Sequence, residues 1–270
     1  MSRPPLPRYR PRVRLILIVV GALWGAWSGL ALPRAAYRLS VEPEEPWKVE
    51  CPDGHPITGR FDGWLGRARC TTDTTGAQGG QAASTACGSY GPRTPVVSTV
   101  TALVCAALAA ATGPRPELAV WLLLTPVAVL LALVDRNVHR LPDHLTLPLA
   151  VAAAVLLGLA ALLPGDGGSW PTALLGGLAL GACYFVLFLI NPNGMGFGDV
   201  KLAVSLGVTL GWYGWPVLCV GAFAGFLLGS LYGLGLMLLR RAGRKSAIPF
   251  GPFMITGALL GILLGGLATA

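Results

Sequence analysis

Residues 194–202, GMGFGDVKL, place one carboxylate, Asp199, between two strongly apolar segments of the chain. Three alternating glycines, Gly194, Gly196 and Gly198, precede it and predict a backbone that is free to adopt non-helical torsion angles there. Ionisable groups at membrane depth are costly, so their presence indicates a function. A lone glycine-rich stretch is a weak signal, however, and it gains weight only if the chain supplies a partner for Asp199.

The composition of the whole chain is that of a polytopic membrane protein. Of its 270 residues, 54% are hydrophobic and 12% are charged, whereas soluble domains carry about 25% charged residues. The net charge of +8 comes mostly from arginine. Because these basic residues do not alternate with stacking aromatic residues, we attribute them to membrane topology and anionic lipid rather than to nucleic acid. The sequence therefore predicts an all-α fold in a lipid bilayer.

Apolar runs predict eight transmembrane helices, each of which needs about 20 residues. The first, at 15–32, carries glycines at a spacing of four (Gly21, Gly25 and Gly29), which favours close helix packing, although glycine is also simply frequent in membrane helices. The other seven are predicted at 96–112, 118–134, 145–163, 172–190, 202–213, 215–239 and 251–268. The 202–213 run is short unless its helix begins within the Asp199 motif.

The chain divides into a basic tail with the first helix (1–32), a polar segment (33–95) and a membrane domain (96–270). Basic residues concentrate in alternate loops, namely at Arg136, Arg140, Lys201 and the cluster 240–245. The positive-inside bias places these loops, with their acidic residues, at the cytoplasmic face of the inner membrane. With eight spans the polar segment is then cytoplasmic, and the N-terminus lies outside despite the five arginines of its tail.

A partner for Asp199 lies in VDRNVHRLPDHLTLP, residues 134–148. Asp135 closes an apolar helix at its C-terminal end, where the helix dipole disfavours a negative charge, so an acid there needs another reason. Asp143 follows Pro142, which helps to reverse the chain, and it is either a helix N-cap or an accessory acid. Two carboxylates that share a proton are the parts of an aspartic protease, in which one activates water and the other acts as the acid. That chemistry requires no metal.

Three motifs, in this order, resemble the type IV prepilin peptidase family, the G-x-G-D membrane aspartic proteases. They are residues 134–148, residues 194–202 and IPFGP at 248–252. The resemblance implies that Asp135 and Asp199, which are 64 positions apart, form the catalytic pair. It also implies accessory or substrate-site roles for Asp143, Gly194, Gly196, Gly198 and Lys201.

The family implies an enzyme of type IV pilus assembly and protein secretion that removes a short basic leader from a prepilin or pseudopilin. The bond it cleaves follows a glycine and precedes the apolar helix of the substrate, at the cytoplasmic membrane face. Other interpretations are a peptidase for another leader-bearing substrate, a proton- or cation-coupled transporter that uses Asp135 and Asp199, and a non-catalytic assembly scaffold. The two halves of the chain show no convincing repeat that would favour a transporter. The presence of both aspartates argues against the scaffold.

The polar segment departs from the family pattern. Bifunctional members also methylate the new N-terminus and carry two Cys-x-x-Cys pairs that bind zinc, but this chain has no Cys-x-x-Cys. It therefore gives no support for methyltransferase activity. A Cys₃His zinc site remains one interpretation, and a decayed site with free or disulfide-linked cysteines is the other. The residues concerned are Cys51, His55, Cys70 and Cys87.

The remaining cysteines and histidines have simpler interpretations. Cys105, Cys183 and Cys219 lie in apolar runs and are predicted to be small buried hydrophobic residues. His139 and His144 both lie in the loop formed by the motif at 134–148, and they are predicted to be solvated. No role as metal ligand or proton shuttle follows from their spacing.

Overall fold

The computed structural model describes residues 11–42, 44–70, 88–192, 194–239 and 249–269. Within these ranges the chain is helical, with two isolated β-bridges and no strand, which confirms the predicted all-α fold. The helices are α1 (Pro11–Leu39), α2 (Arg60–Gly63), α3 (Thr94–Thr112), α4 (Glu117–Val138), α5 (Asp143–Ala160), α6 (Trp170–Ile190), α7 (Phe197–Gly211), α8 (Trp215–Leu238) and α9 (Gly251–Ala268). All of these except α2 and α7 are long and apolar enough to cross a membrane.

Helix α7 is the centre of the membrane domain. It begins at Phe197, within the glycine motif, five residues before the predicted start of this helix. Its 15 residues span about 22 Å, less than the roughly 30 Å hydrocarbon core, yet 11 of them are buried. The surrounding helices α5, α6, α8 and α9 therefore shield α7 from lipid, so a short helix is tolerated there.

The glycines of α1 form a packing face, as their spacing predicted. A Cβ atom at Gly25 would lie 2.5 Å from the carbonyl oxygen of Thr101, and one at Gly29 would lie 2.7 Å from the Cα of Ser98. Ser98 also donates a hydrogen bond to the carbonyl of Ala26 at 2.9 Å. Helix α1 therefore lies directly against α3 and continues to Leu39, seven residues beyond its predicted end.

Successive membrane helices run in opposite directions, so the two ends of the bundle can be compared. Near one end, Arg14 of α1 donates to the carbonyl of Ala110 in α3 at 3.0 Å. At the other end, the last turns of α1 pack against Val134 in the last turns of α4. The polar segment thus leaves α1 at the same end as Asp135, which agrees with the alternation predicted from the loops. The tail 1–10, the loop 76–84 and the cluster 240–245 lie outside the described residues.

The cysteines of the membrane helices differ in burial. Cys105 is fully buried in α3, as predicted. Cys183 and Cys219 are exposed on the outer faces of α6 and α8, so the prediction that they are buried is wrong. A thiol is small and weakly polar, and a face that contacts lipid accommodates it as readily as a protein core does.

Candidate active site

Asp135 lies in the last turn of α4 and is 3% exposed. Its Oδ2 atom accepts a hydrogen bond of 2.9 Å from the backbone N–H of Gly251, the first residue of α9. A Cβ atom at Gly251 would lie only 2.8 Å from that oxygen. The absence of a side chain at Gly251 therefore allows the start of α9 to approach the carboxylate, a role that the sequence did not reveal.

Asp199 is the third residue of α7 and is 8% exposed. Its Oδ2 accepts a hydrogen bond of 3.2 Å from the backbone N–H of Gly196, so the carboxylate also caps the helix. Gly196 has ordinary extended torsion angles (φ −74°, ψ 145°), and Gly198, inside α7, has no positive φ. The backbone before Asp199 is therefore non-helical, as predicted, but at Gly196 its torsion angles are ones that any residue adopts, so glycine is not required there for backbone freedom.

The glycines instead permit close approach. A Cβ atom at Gly198 would lie 3.0 Å from the Cβ of Leu141, in the loop between α4 and α5. A Cβ at Gly194 would overlap the side-chain amide of Asn191. The missing side chain of Gly198 lets the α4–α5 loop rest against the first turn of α7. This contact brings Asp135, at the end of α4, close to Asp199.

Asp135 and Asp199 line the same cavity, which has a volume of about 250 Å³. The charge of Asp135 acts on Asp199, so the two carboxylates interact electrostatically. The rest of the lining comes from the α4–α5 loop and the start of α7: His139, Arg140, Leu141, Asp143, Gly196, Phe197, Gly198 and Lys201. A cavity between two acids can hold water and one strand of peptide, which is the requirement for carboxylate-assisted hydrolysis.

Asp143 and Lys201 form an ion pair at the rim of this cavity, with 2.7 Å between Oδ1 and Nζ. The ammonium of Lys201 also lies 4.9 Å from the ring centroid of Phe197. Helix α5 begins at Asp143, with Pro142 at the N-cap position and no side-chain capping bond. The N-cap interpretation of Asp143 is therefore wrong, because its carboxylate faces α7.

The two loop histidines are exposed, as predicted. His139 ends α4 in a left-handed conformation (φ 52°). His144 contacts Trp47 of the polar segment edge to face, with 6.0 Å between ring centroids. The amide of Asn137 also donates to Ser40 at 3.1 Å. The polar segment therefore rests on the loop that borders the cavity, which the sequence did not indicate.

A second cluster of side chains lies in the polar segment. Ligand atoms of Cys51, His55 and Cys70 all lie within 4.8 Å of one another. The Sγ atom of Cys51 is 3.5 Å from Nδ1 of His55 and 3.8 Å from Sγ of Cys70. Burial would raise the pKa of the Cys51 thiol, but hydrogen bonds from its neighbours lower it to about 7. Cys87, the fourth predicted ligand, lies outside the described residues.

The cluster has the dimensions of a tetrahedral zinc site. Zn–S bonds of about 2.3 Å and Zn–N bonds of about 2.0 Å imply S···S and S···N separations of about 3.8 and 3.5 Å at tetrahedral angles. The two separations at Cys51 agree with these values. Ser89, two residues after Cys87, pairs with Arg69, the neighbour of Cys70. The residues present therefore fit a zinc ion with a fourth ligand from the chain near Ser89.

Comparisons with known proteins point to one family. A sequence model of the type IV leader peptidase family matches residues 122–265. The chain is 34% identical to a prepilin leader peptidase/N-methyltransferase of Aeromonas salmonicida, over 80% of this chain and 70% of that protein. It is 33% identical to the protein so named from Pseudomonas aeruginosa, over 97% of this chain and 95% of that protein. No solved structure matches the chain.

Proposed function

This chain belongs to the type IV leader peptidase family, and from that premise we propose that it is an aspartic endopeptidase whose catalytic pair is Asp135 and Asp199. It is a multi-pass protein of the inner membrane. Its substrates are the leader peptides of prepilin-like proteins. The membrane domain, residues 96–270, carries the activity. The observation that supports the proposed catalytic type is the single cavity into which both buried carboxylates open.

In the proposed reaction a water molecule in this cavity attacks the carbonyl carbon of the scissile peptide bond. One aspartate takes a proton from that water, and the other gives a proton to the carbonyl oxygen, so a gem-diol forms. The C–N bond then breaks as a proton passes to the leaving nitrogen, and the second product is a carboxylic acid. The backbone N–H groups of Gly251 and Gly196 hold the two carboxylates in place during these transfers.

Lys201, Asp143 and the glycines of the motif act as accessory groups in this proposal. The ion pair keeps the α4–α5 loop against α7, Gly194 and Gly198 permit the close contacts with Asn191 and Leu141, and Gly196 donates to Asp199. We place the cavity at the cytoplasmic face. The basic loops and the shared end of the polar segment and Asp135 support that orientation.

The test is leader cleavage by purified protein in liposomes, with a labelled prepilin as substrate. Asp135→Asn and Asp199→Asn should each lower the cleavage rate at least about 100-fold, because each removes one partner in proton transfer. Asp166→Asn, a change between α5 and α6 at the opposite end of the bundle, is the matched control and should cleave normally. Cleavage at the wild-type rate by either dyad variant would show that the assigned pair is wrong.

We also propose that Cys51, His55 and Cys70 hold a structural zinc ion. The observation that supports it is the agreement of their separations with tetrahedral coordination. When bound, the ion would crosslink the loop 50–56 to the strand-like pair at Arg69 and Ser89. The polar segment has a small core of its own, so a metal crosslink would contribute much of its folding free energy.

Metal analysis of the purified protein tests this proposal. We expect about one zinc ion per chain in the wild type and a large loss of zinc in Cys51→Ser. Cys183→Ser is the matched control, since that cysteine is exposed on α6, far along the chain from the cluster. Equal zinc contents in the two variants would contradict the proposal.

A further inference from the structure

Helix α4 carries a proline in its interior, Pro126, nine residues before Asp135. Proline has no backbone N–H, so the carbonyl oxygen of Leu122, four residues earlier, loses the donor that an unbroken helix would give it. The helix is a membrane-spanning segment, in which no water replaces that donor and an unpaired carbonyl is costly. The hydrogen-bond ladder of α4 is therefore interrupted between its first turns and the segment that ends with Asp135.

A side chain of another helix supplies the missing donor. The indole Nε1–H of Trp24, in α1, donates a hydrogen bond of 2.8 Å to the carbonyl oxygen of Leu122. Trp24 is half-buried and lies in the part of α1 that packs directly on α3, because Cβ atoms at Gly21 and Gly25 would lie 3.1 and 2.5 Å from carbonyl oxygens of that helix. The packing of α1 on α3 therefore fixes where the indole lies.

Helix α1 contacts α4 on both sides of Pro126. Before the proline, Trp24 donates to Leu122. After the proline, Leu32 of α1 and Val134 of α4 belong to one buried apolar cluster. Because the ladder between the two halves of α4 is interrupted, the angle between them depends on these contacts with α1. The second half carries the proposed catalytic acid.

The carboxylate of Asp135 tolerates little displacement. Its Oδ2 atom accepts a hydrogen bond of 2.9 Å from Gly251, and the Cβ atom that Gly251 lacks would lie 2.8 Å from the same oxygen. Nine residues of helix span about 14 Å, so a small change of angle at Pro126 becomes a larger displacement at Asp135. Whatever fixes α4 around Pro126 therefore also fixes this side of the candidate active site.

We propose that Trp24 is a positioning residue for catalysis: its indole N–H replaces the backbone donor that Pro126 removes and so fixes the segment of α4 that carries Asp135. This inference rests on the proposed aspartate pair, because the position of Asp135 matters for cleavage only if that acid is catalytic. A small misplacement of a reacting group lowers kcat, whereas substrate binding by the rest of the site is retained. An apolar contact alone needs no N–H, so the side chains that can replace Trp24 reveal which role it has.

Two substitutions of Trp24 separate hydrogen bonding from packing. Trp24→His keeps a ring N–H, because Nε2 of histidine lies at the ring position of the indole Nε1, whereas Trp24→Phe keeps an apolar ring without a donor. Trp24→Phe should lower kcat for cleavage of a labelled prepilin in proteoliposomes about tenfold or more, with KM within about twofold, and Trp24→His should recover most of that loss. Trp27→Phe, which changes an exposed tryptophan of the same helix, is the matched control and should change neither constant. A kcat of Trp24→Phe equal to or higher than that of Trp24→His would overturn the proposal, since packing alone favours the more apolar ring.

A double-mutant cycle with Pro126 restores the backbone donor itself. In a Pro126→Ala background the residue at position 126 again has an N–H for the carbonyl of Leu122, so Trp24→Phe should lower kcat by less than about twofold there. A loss of the same size in both backgrounds would overturn the proposal. An error in the aspartate assignment is distinguishable, because it would appear as cleavage by Asp135→Asn at the wild-type rate, whatever the effect of Trp24→Phe.

Discussion

At the scale of single residues, Gly251 sets the position of Asp135 by having no side chain. Its N–H donates to Oδ2 of Asp135 at 2.9 Å, and it does so from the first turn of an 18-residue helix. The positive end of that helix dipole favours a negative charge on the carboxylate. The Oδ2 atom of Asp135 lies so close to the backbone of Gly251 that a methyl group on the Cα of Gly251 does not fit.

Gly251→Ala should therefore displace Asp135 or the start of α9 and lower kcat about 10- to 100-fold, since small misplacements of reacting groups carry losses of that size. The measurement is prepilin cleavage, with the folded fraction checked by gel filtration in detergent. Gly235→Ala in α8 is the matched control, because a Cβ atom there would meet no other atom within 4 Å. Equal activities for the two variants would contradict this role for Gly251.

The sequence was sufficient to single out Asp135 and Asp199, because acidic residues stand out in an apolar chain, and the family resemblance added Asp143 and Lys201. The structure brings all four to one cavity. The role of Gly251 could not be predicted in the same way, because a glycine before a membrane helix has many explanations. Only the tertiary contact with Asp135, 116 positions earlier, reveals it.

At the scale of helices, the start of α7 depends on its neighbours rather than on local propensity. Glycine is unfavourable in helices by about 1 kcal/mol, so the sequence favoured a start after the motif. The structure begins α7 at Phe197, because the Asp199 carboxylate caps the first turn and Leu141 packs against Gly198. Apart from α1, which extends to Leu39, the other membrane helices lie close to their predicted positions, since each one is a long apolar run bounded by proline or polar residues.

The ion pair between Lys201 and Asp143 links α7 to the start of α5, and a double-mutant cycle tests that link. The pair is partly exposed, with 20% and 55% of the side chains accessible, so Lys201→Met and Asp143→Asn should each change stability by less than about 1 kcal/mol. Each should nevertheless lower kcat/KM, because the loop beside the cavity is released. The double variant should lose no more activity than the stronger single variant. Additive losses would mean that the two side chains act separately.

At the scale of the whole molecule, one end of the bundle holds the candidate active site and the other end holds a buried polar network. The end with the aspartates carries the active-site cavity and the polar segment. The opposite end holds a buried polar network centred on Arg115 and Glu117. The alternation of basic loops predicted which helix ends lie together. It did not predict this network, because an arginine and a glutamate near a loop are ordinarily solvated.

Arg115 connects three parts of that opposite end. Its side chain donates to the carbonyls of Thr112 at 2.7 Å and Gly266 at 2.6 Å, and its Nε lies 3.5 Å from the carboxylate of Glu117. Glu117 has no exposed surface and also accepts from the backbone N–H of Gly167 at 3.2 Å. Removal of the guanidinium would leave a buried carboxylate without its counter-charge and would take one donor from each of the two carbonyls.

Arg115→Leu should therefore destabilise the protein by about 3–5 kcal/mol, the usual cost of breaking a buried ion pair, and lower Tm by about 10 °C. Arg93→Leu is the matched control, because Arg93 is exposed before α3 and its loss should cost no more than about 0.5 kcal/mol. Tryptophan fluorescence during heating in detergent measures both. Asp135 lies on α4, and this network holds the opposite end of that helix, so prepilin cleavage should fail at a correspondingly lower temperature in Arg115→Leu. A Tm equal to that of Arg93→Leu would show that the network does not hold the bundle together.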